Sequence, residues 1–111
     1  MTTEATKTAH GNPGKVPIGV GKNNGKWRAA PPRPHVKRGA DVIWGFSPCN
    51  TWSLSLPDDV FDGELNPHGN GPGGFTATVK LTAPLGPQTY SGKCDDQDIE
   101  GNSPPGVIVD P

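Results

Sequence analysis

Two cysteines, three histidines and two acidic clusters carry the chemistry of this 111-residue chain that goes beyond packing. Cys49 and Cys94 can pair as a disulfide, stay as thiols or ligate a soft metal as thiolates. Asp58, Asp59, Asp62 and Glu64 surround Val60 and Phe61, with His68 following. Paired carboxylates perform acid/base chemistry when one is buried and its pKa raised, and nothing in the sequence buries one here, so a surface loop is expected. Asp96, Asp98 and Glu100 alternate before Gly101 in the manner of a calcium loop opening. The closing Glu of such a loop belongs at 107, where Val107 stands, so a solvated acidic loop is expected instead. There is no Ser-His-Asp arrangement with a nucleophile elbow, no phosphate-cradling glycine loop opening a helix and no Cys-x-x-Cys pair. No catalytic residue and no cofactor is expected.

The formal charge is -1. Lys22, Lys26, Arg28, Arg33, Lys37 and Arg38 make the first third basic, and Trp27 among them would allow base stacking beside phosphate contacts. These charges are scattered over separate strands, and the balanced total argues against a dedicated nucleic-acid binder. A contact between the basic side of one copy and the acidic loops of another is more economical than nucleic-acid binding, and an ordinary mixed-sign surface is the plainest reading of all. No apolar run is long enough to span a membrane, and MTTEATKTAH has no apolar core of an export signal.

The elements that must position these residues are short. With 16 glycines and 14 prolines, no segment of about fifteen residues keeps a helical apolar stripe, so a helical bundle is excluded. Residues 1–15 hold no large apolar side chain beyond Met1 and read as a polar, flexible tail. From Val16 the breakers fall between apolar segments, the punctuation of an all-β domain over residues 16–111. Val16, Ile18 and Val20 alternate, and Asn24-Gly25 supplies a turn. The prolines of APPRP withhold ladder donors and mark an edge or a crossing. Asp41 to Trp44 reads as a central strand, and Trp52, Leu54 and Leu56 share one face with serines on the other. Pro57 to Gly74 is eighteen residues of polar loop, the candidate contact surface with Asp58, Asp59, Phe61, Asp62 and His68. Phe75, Ala77, Val79 and Leu81 point inward from the next strand, and Val107 to Val109 close the chain. Seven or eight strands with irregular connections predict a two-sheet sandwich.

Three segments in this order resemble the cupredoxin family, the Greek-key β-sandwiches of the plastocyanin and azurin type. PRPHVKRGADVIW resembles the family's entry into its central strand, PLGPQTYSGKC its penultimate strand ending in a Cys, and GVIVDP its closing strand. The likeness covers roughly residues 16–111. An immunoglobulin-like sandwich of different connectivity is the structural competitor, because β patterning does not fix strand order.

A blue-copper centre takes two imidazoles and a thiolate with a weak axial ligand. The resemblance puts Asn50 where the first His would be and Cys94 at the thiolate, while DDQDIEGNSPP after Cys94 contains neither His nor Met. It therefore implies a degenerate copper site and no bound metal. Because the family brings the positions of Cys49 and Cys94 together at one end of the sandwich, it also implies a disulfide between them. Free thiols in a reducing cytosol remain the alternative. The disulfide would mean an oxidising compartment, so location stays open. The expected function is a non-catalytic binding or structural module acting through protein contacts or self-assembly. Its rival is a copper protein using Cys94 with His35 or His68.

Overall fold

Asn24 and Gly25 both have positive φ, 52° and 77°, as a two-residue turn between antiparallel strands requires. Strand β1 (Lys15–Asn23) therefore returns directly as β2 (Lys26–Ala30), with Lys22 opposite Trp27. A computed structural model describes residues 14–46, 49–100 and 104–111. Pro31, Pro32 and Pro34 then carry the chain out of this sheet, and β3 (His35–Lys37) enters the other one. The chain continues through β4 (Asp41–Gly45), β5 (Thr51–Ser55), β6 (Phe61–Asp62), β7 (His68–Asn70) and β8 (Gly74–Val79). It ends with β9 (Gly86–Thr89), β10 (Ser91–Cys94), β11 (Gln97–Asp98) and β12 (Gly106–Asp110).

The first layer has the order β2-β1-β4-β8-β6. β1 serves two neighbours: its first half runs parallel to β4, its second half antiparallel to β2. That places β4 in the middle, and its inward residues Val42 and Trp44 are fully buried. The second layer is made of β3-β12-β9 and β11-β10-β5-β7, which meet where β9 runs into β10. At that junction Tyr90 donates its amide to the Pro105 carbonyl at 3.0 Å. The architecture is an all-β sandwich, as its patterning predicts, and among the described residues no helix is long and apolar enough to cross a membrane.

Twelve short strands stand among the described residues in place of the expected seven or eight. The prolines divide one extended run into β2 and β3, and the change of partner at Tyr90 divides another into β9 and β10. The remaining extra strands are two- and three-residue pieces. Of the expected tail, residues 1–13 lie outside the described residues. Gly14 and Lys15 belong to the fold, since Asp41 donates its amide to the Gly14 carbonyl and Lys15 opens β1.

One apolar cluster fills the space between the layers. Ile18, Val42, Trp44 and Phe46 come from the first layer or its end, and Leu54, Tyr90, Val107 and Val109 from the second. Each such side chain contributes about 1.5–3 kcal/mol relative to an exposed position. Phe61 stands edge-on to Trp44, with ring centroids 5.8 Å apart. Leu81 departs from the alternation that predicts it inward. β8 ends at Val79, Ala83 donates its amide to the Lys80 carbonyl in the following turn, and Leu81 is left 76% exposed.

Candidate functional site

Cys49 and Cys94 form a disulfide, with Cα atoms 5.6 Å apart and both residues buried. Local structure prepares each half. Cys49 closes a turn by donating its amide to the Phe46 carbonyl at 2.9 Å, and Cys94 stands opposite Trp52 in the pairing of β10 with β5. Phe46 and Trp52, the two residues so joined to the cysteines, stack with centroids 4.4 Å apart and planes 4° from parallel. Asn50, the next residue, lies in the bend before β5 and is exposed, as is Thr51 after it. The Asp95 carboxylate accepts from the Asn50 and Thr51 amides at 2.7 and 3.1 Å, and Gly71 donates to the Asn50 carbonyl at 2.5 Å.

The two positions matched to copper ligands are thus an exposed amide and an oxidised sulfur. These residues do not fit a copper centre, because Cys94 has no thiolate to offer while it is bonded to Cys49. Among the described residues no three His, Cys, Asp or Glu side chains come together in a way that would hold a metal ion. His35 instead lies 2.9 Å from the Asp110 carboxylate, on β3 beside β12.

The expected contact loop is not one surface. Leu54 and Leu56 donate their amides to the Pro67 and Leu65 carbonyls, which ties the segment down along β5. Phe61, expected at the surface, is 1% exposed and belongs to the core. Two strands then divide the acids from the histidine: Asp62 pairs with Thr78 in the first layer, and His68 pairs with Ser53 in the second. Asp58, Asp59 and Asp62 remain exposed.

His68 has other neighbours. Register places Asp98 of β11 opposite Lys93 of β10, Lys93 opposite Ser53 of β5, and Ser53 opposite His68 of β7. Side chains directly opposite one another lie on the same face, about 5 Å apart. Asp98, Lys93, Ser53 and His68 therefore form one row across four strands, on the face turned away from the core. Two adjoining open hollows of about 200 and 280 Å³ share Ser53, His68 and Lys93. Asn70 and Asp96 line the first, Asn66 and Asp98 the second. Among the described residues no side-chain hydrogen bond or ion pair joins the four members of the row to each other. Neither Ser53 nor Lys93 stands out in the sequence as a site residue, and Asp98 does so only through the calcium-like spacing. The outward serines were visible there, but which residues stand opposite them depends on strand register.

The calcium-like spacing is not used as a loop. Glu100 turns away from Asp96 and Asp98: its carboxylate accepts from the Ala29 amide at 3.0 Å and from Arg28 at 3.3 Å. Its own amide donates to the Trp27 carbonyl at 2.9 Å. Trp27 cannot stack on a base, because it is buried at 4% exposure with the Lys22 ammonium over its ring. Compared with the models of known protein families and with curated proteins, the chain matches none.

Proposed function

We propose that this chain is a cupredoxin-like sandwich in which a disulfide stands in place of a metal centre, and that it serves as a non-catalytic binding module. The disulfide between Cys49 and Cys94 carries the reading, since it occupies the end of the sandwich where the resemblance puts the copper thiolate. Support for the family comes from the three matched segments. PRPHVKRGADVIW supplies β3 and the central β4, PLGPQTYSGKC supplies β9 and β10 and ends at Cys94, and GVIVDP supplies β12. The surfaces left for recognition are polar sheet faces and short loops on a rigid frame.

Copper loading tests it. Protein purified with and without reductant is titrated for thiols and then given copper(II). The expected result is no free thiol without reductant and no intense visible band in either preparation. An intense thiolate-to-copper band would overturn the reading in favour of a copper protein.

A further inference from the structure

We propose that the row Lys93, Ser53 and His68, with the hollows on either side of it, binds an acidic saccharide, a sugar ring that carries a carboxylate. This rests on the reading of the chain as a non-catalytic binding module. The row sets an ammonium, a hydroxyl and an imidazole on three adjacent strands. A carboxylate centred over Ser53 would accept from Lys93 on one side, from the Ser53 hydroxyl below it and from a His68 ring nitrogen on the other.

Charge and chemistry narrow the ligand further. Asp98 is the next residue of the row beyond Lys93 and Asp96 borders the first hollow, so the patch is mixed in sign. A small dianion such as phosphate is disfavoured by those carboxylates, whereas a sugar hydroxyl donates to them. Asn66 and Asn70 border the two hollows, and each amide can both donate to and accept from hydroxyls. Trp52 borders the first hollow and Leu54 the second, but at 8% and 3% exposure they present little surface, too little to anchor an apolar ligand or the core of a protein interface. The hollows are shallow and adjoining, which suits one or two rings laid along the sheet rather than a molecule enclosed in a cavity.

The test is an amide NMR titration of the oxidised full chain with glucuronate and galacturonate, and in parallel with glucose and galactose. Binding by the acidic sugars is expected with a dissociation constant on the order of 1 mM, as suits an open polar site with one charge contact. Shifts are expected to be confined to residues 51–55, 66–70 and 91–98. Lys93→Met and Ser53→Tyr are expected to weaken binding at least about tenfold, the loss of one charge-assisted contact, while Lys26→Met on β2 leaves it unchanged. Equal binding of neutral and acidic sugars, shifts spread over all exposed lysines, or binding unchanged in Lys93→Met would each overturn the proposal. Amide spectra of the variants, recorded without sugar, separate loss of the site from loss of the fold. Absence of binding would remove this site and leave the module reading to stand or fall on the copper spectrum.

Discussion

The indole Nε1 of Trp44 donates a 2.9 Å hydrogen bond to the Tyr90 hydroxyl inside the sandwich, joining the centre of one layer to the junction of β9 and β10 in the other. Their rings meet edge to face, with centroids 5.3 Å apart and planes at 81°. The bond satisfies two polar atoms that the apolar core would otherwise strand.

Burial pushes the Tyr90 phenol up to about 12 from the usual 10.0; the Trp44 hydrogen bond opposes that shift and the Glu100 charge adds to it. The unfolded chain therefore releases this proton at lower pH than the folded one. Stability from this group is complete below about pH 10 and is lost as pH rises towards 12, amounting to about 2–3 kcal/mol. Tyr90 is the sole tyrosine, so tyrosinate absorbance against pH reads it alone. Ionisation at the ordinary value in the folded protein would contradict this. Tyr90→Phe leaves Trp44 Nε1 without its acceptor and is expected to cost about 1–3 kcal/mol in denaturant unfolding.

Reduction of the disulfide opens a loop of sequence separation 45 and is expected to cost about 4 kcal/mol in the chain-entropy account. Chemical unfolding of oxidised and reduced protein measures it. Cys49→Ala with Cys94→Ala should match the reduced protein to within about 1 kcal/mol apart from small cavity effects. Equal midpoints for all three would show that the bridge constrains nothing.

Glu100 occupies the open side of edge strand β2 through its amide to Trp27 and its carboxylate to Ala29 and Arg28. An uncovered edge offers unpaired backbone groups to another chain. Glu100→Ala is expected to cost about 1–2 kcal/mol, chiefly for the Ala29 amide, because the half-exposed Arg28 contributes little. It should also produce concentration-dependent association in light scattering. Unchanged stability with a monomer at every concentration would refute the role.

Gly69 leaves room for the Trp52 indole: a Cβ there would come within 2.7 Å of its Nε1. Gly69→Ala is expected to displace Trp52 from its stack on Phe46, costing about 1–3 kcal/mol and altering near-ultraviolet circular dichroism. Gly21→Ala, with nothing within 4 Å of the added carbon, is the control and should shift stability by less than about 1 kcal/mol. Equal effects of the two would remove the steric argument.

Alternation and turn chemistry alone determine much of this protein. Trp52, Leu54 and Leu56 face inward with serines outward, and Asn24-Gly25 turns the first hairpin, because side-chain period and positive φ are local properties of the chain. The prolines likewise mark the crossing between layers through the donors they lack. The pairing of Cys49 with Cys94 was legible only through family resemblance, and its geometry needed both layers. What only the tertiary structure decided is non-local. Phe61 is drawn into the core by Trp44, Glu100 is spent on an edge strand some seventy residues away, and His68 is parted from the acids that precede it. The row of Asp98, Lys93, Ser53 and His68 comes from register among four strands, and register is settled by which faces the whole sandwich buries together.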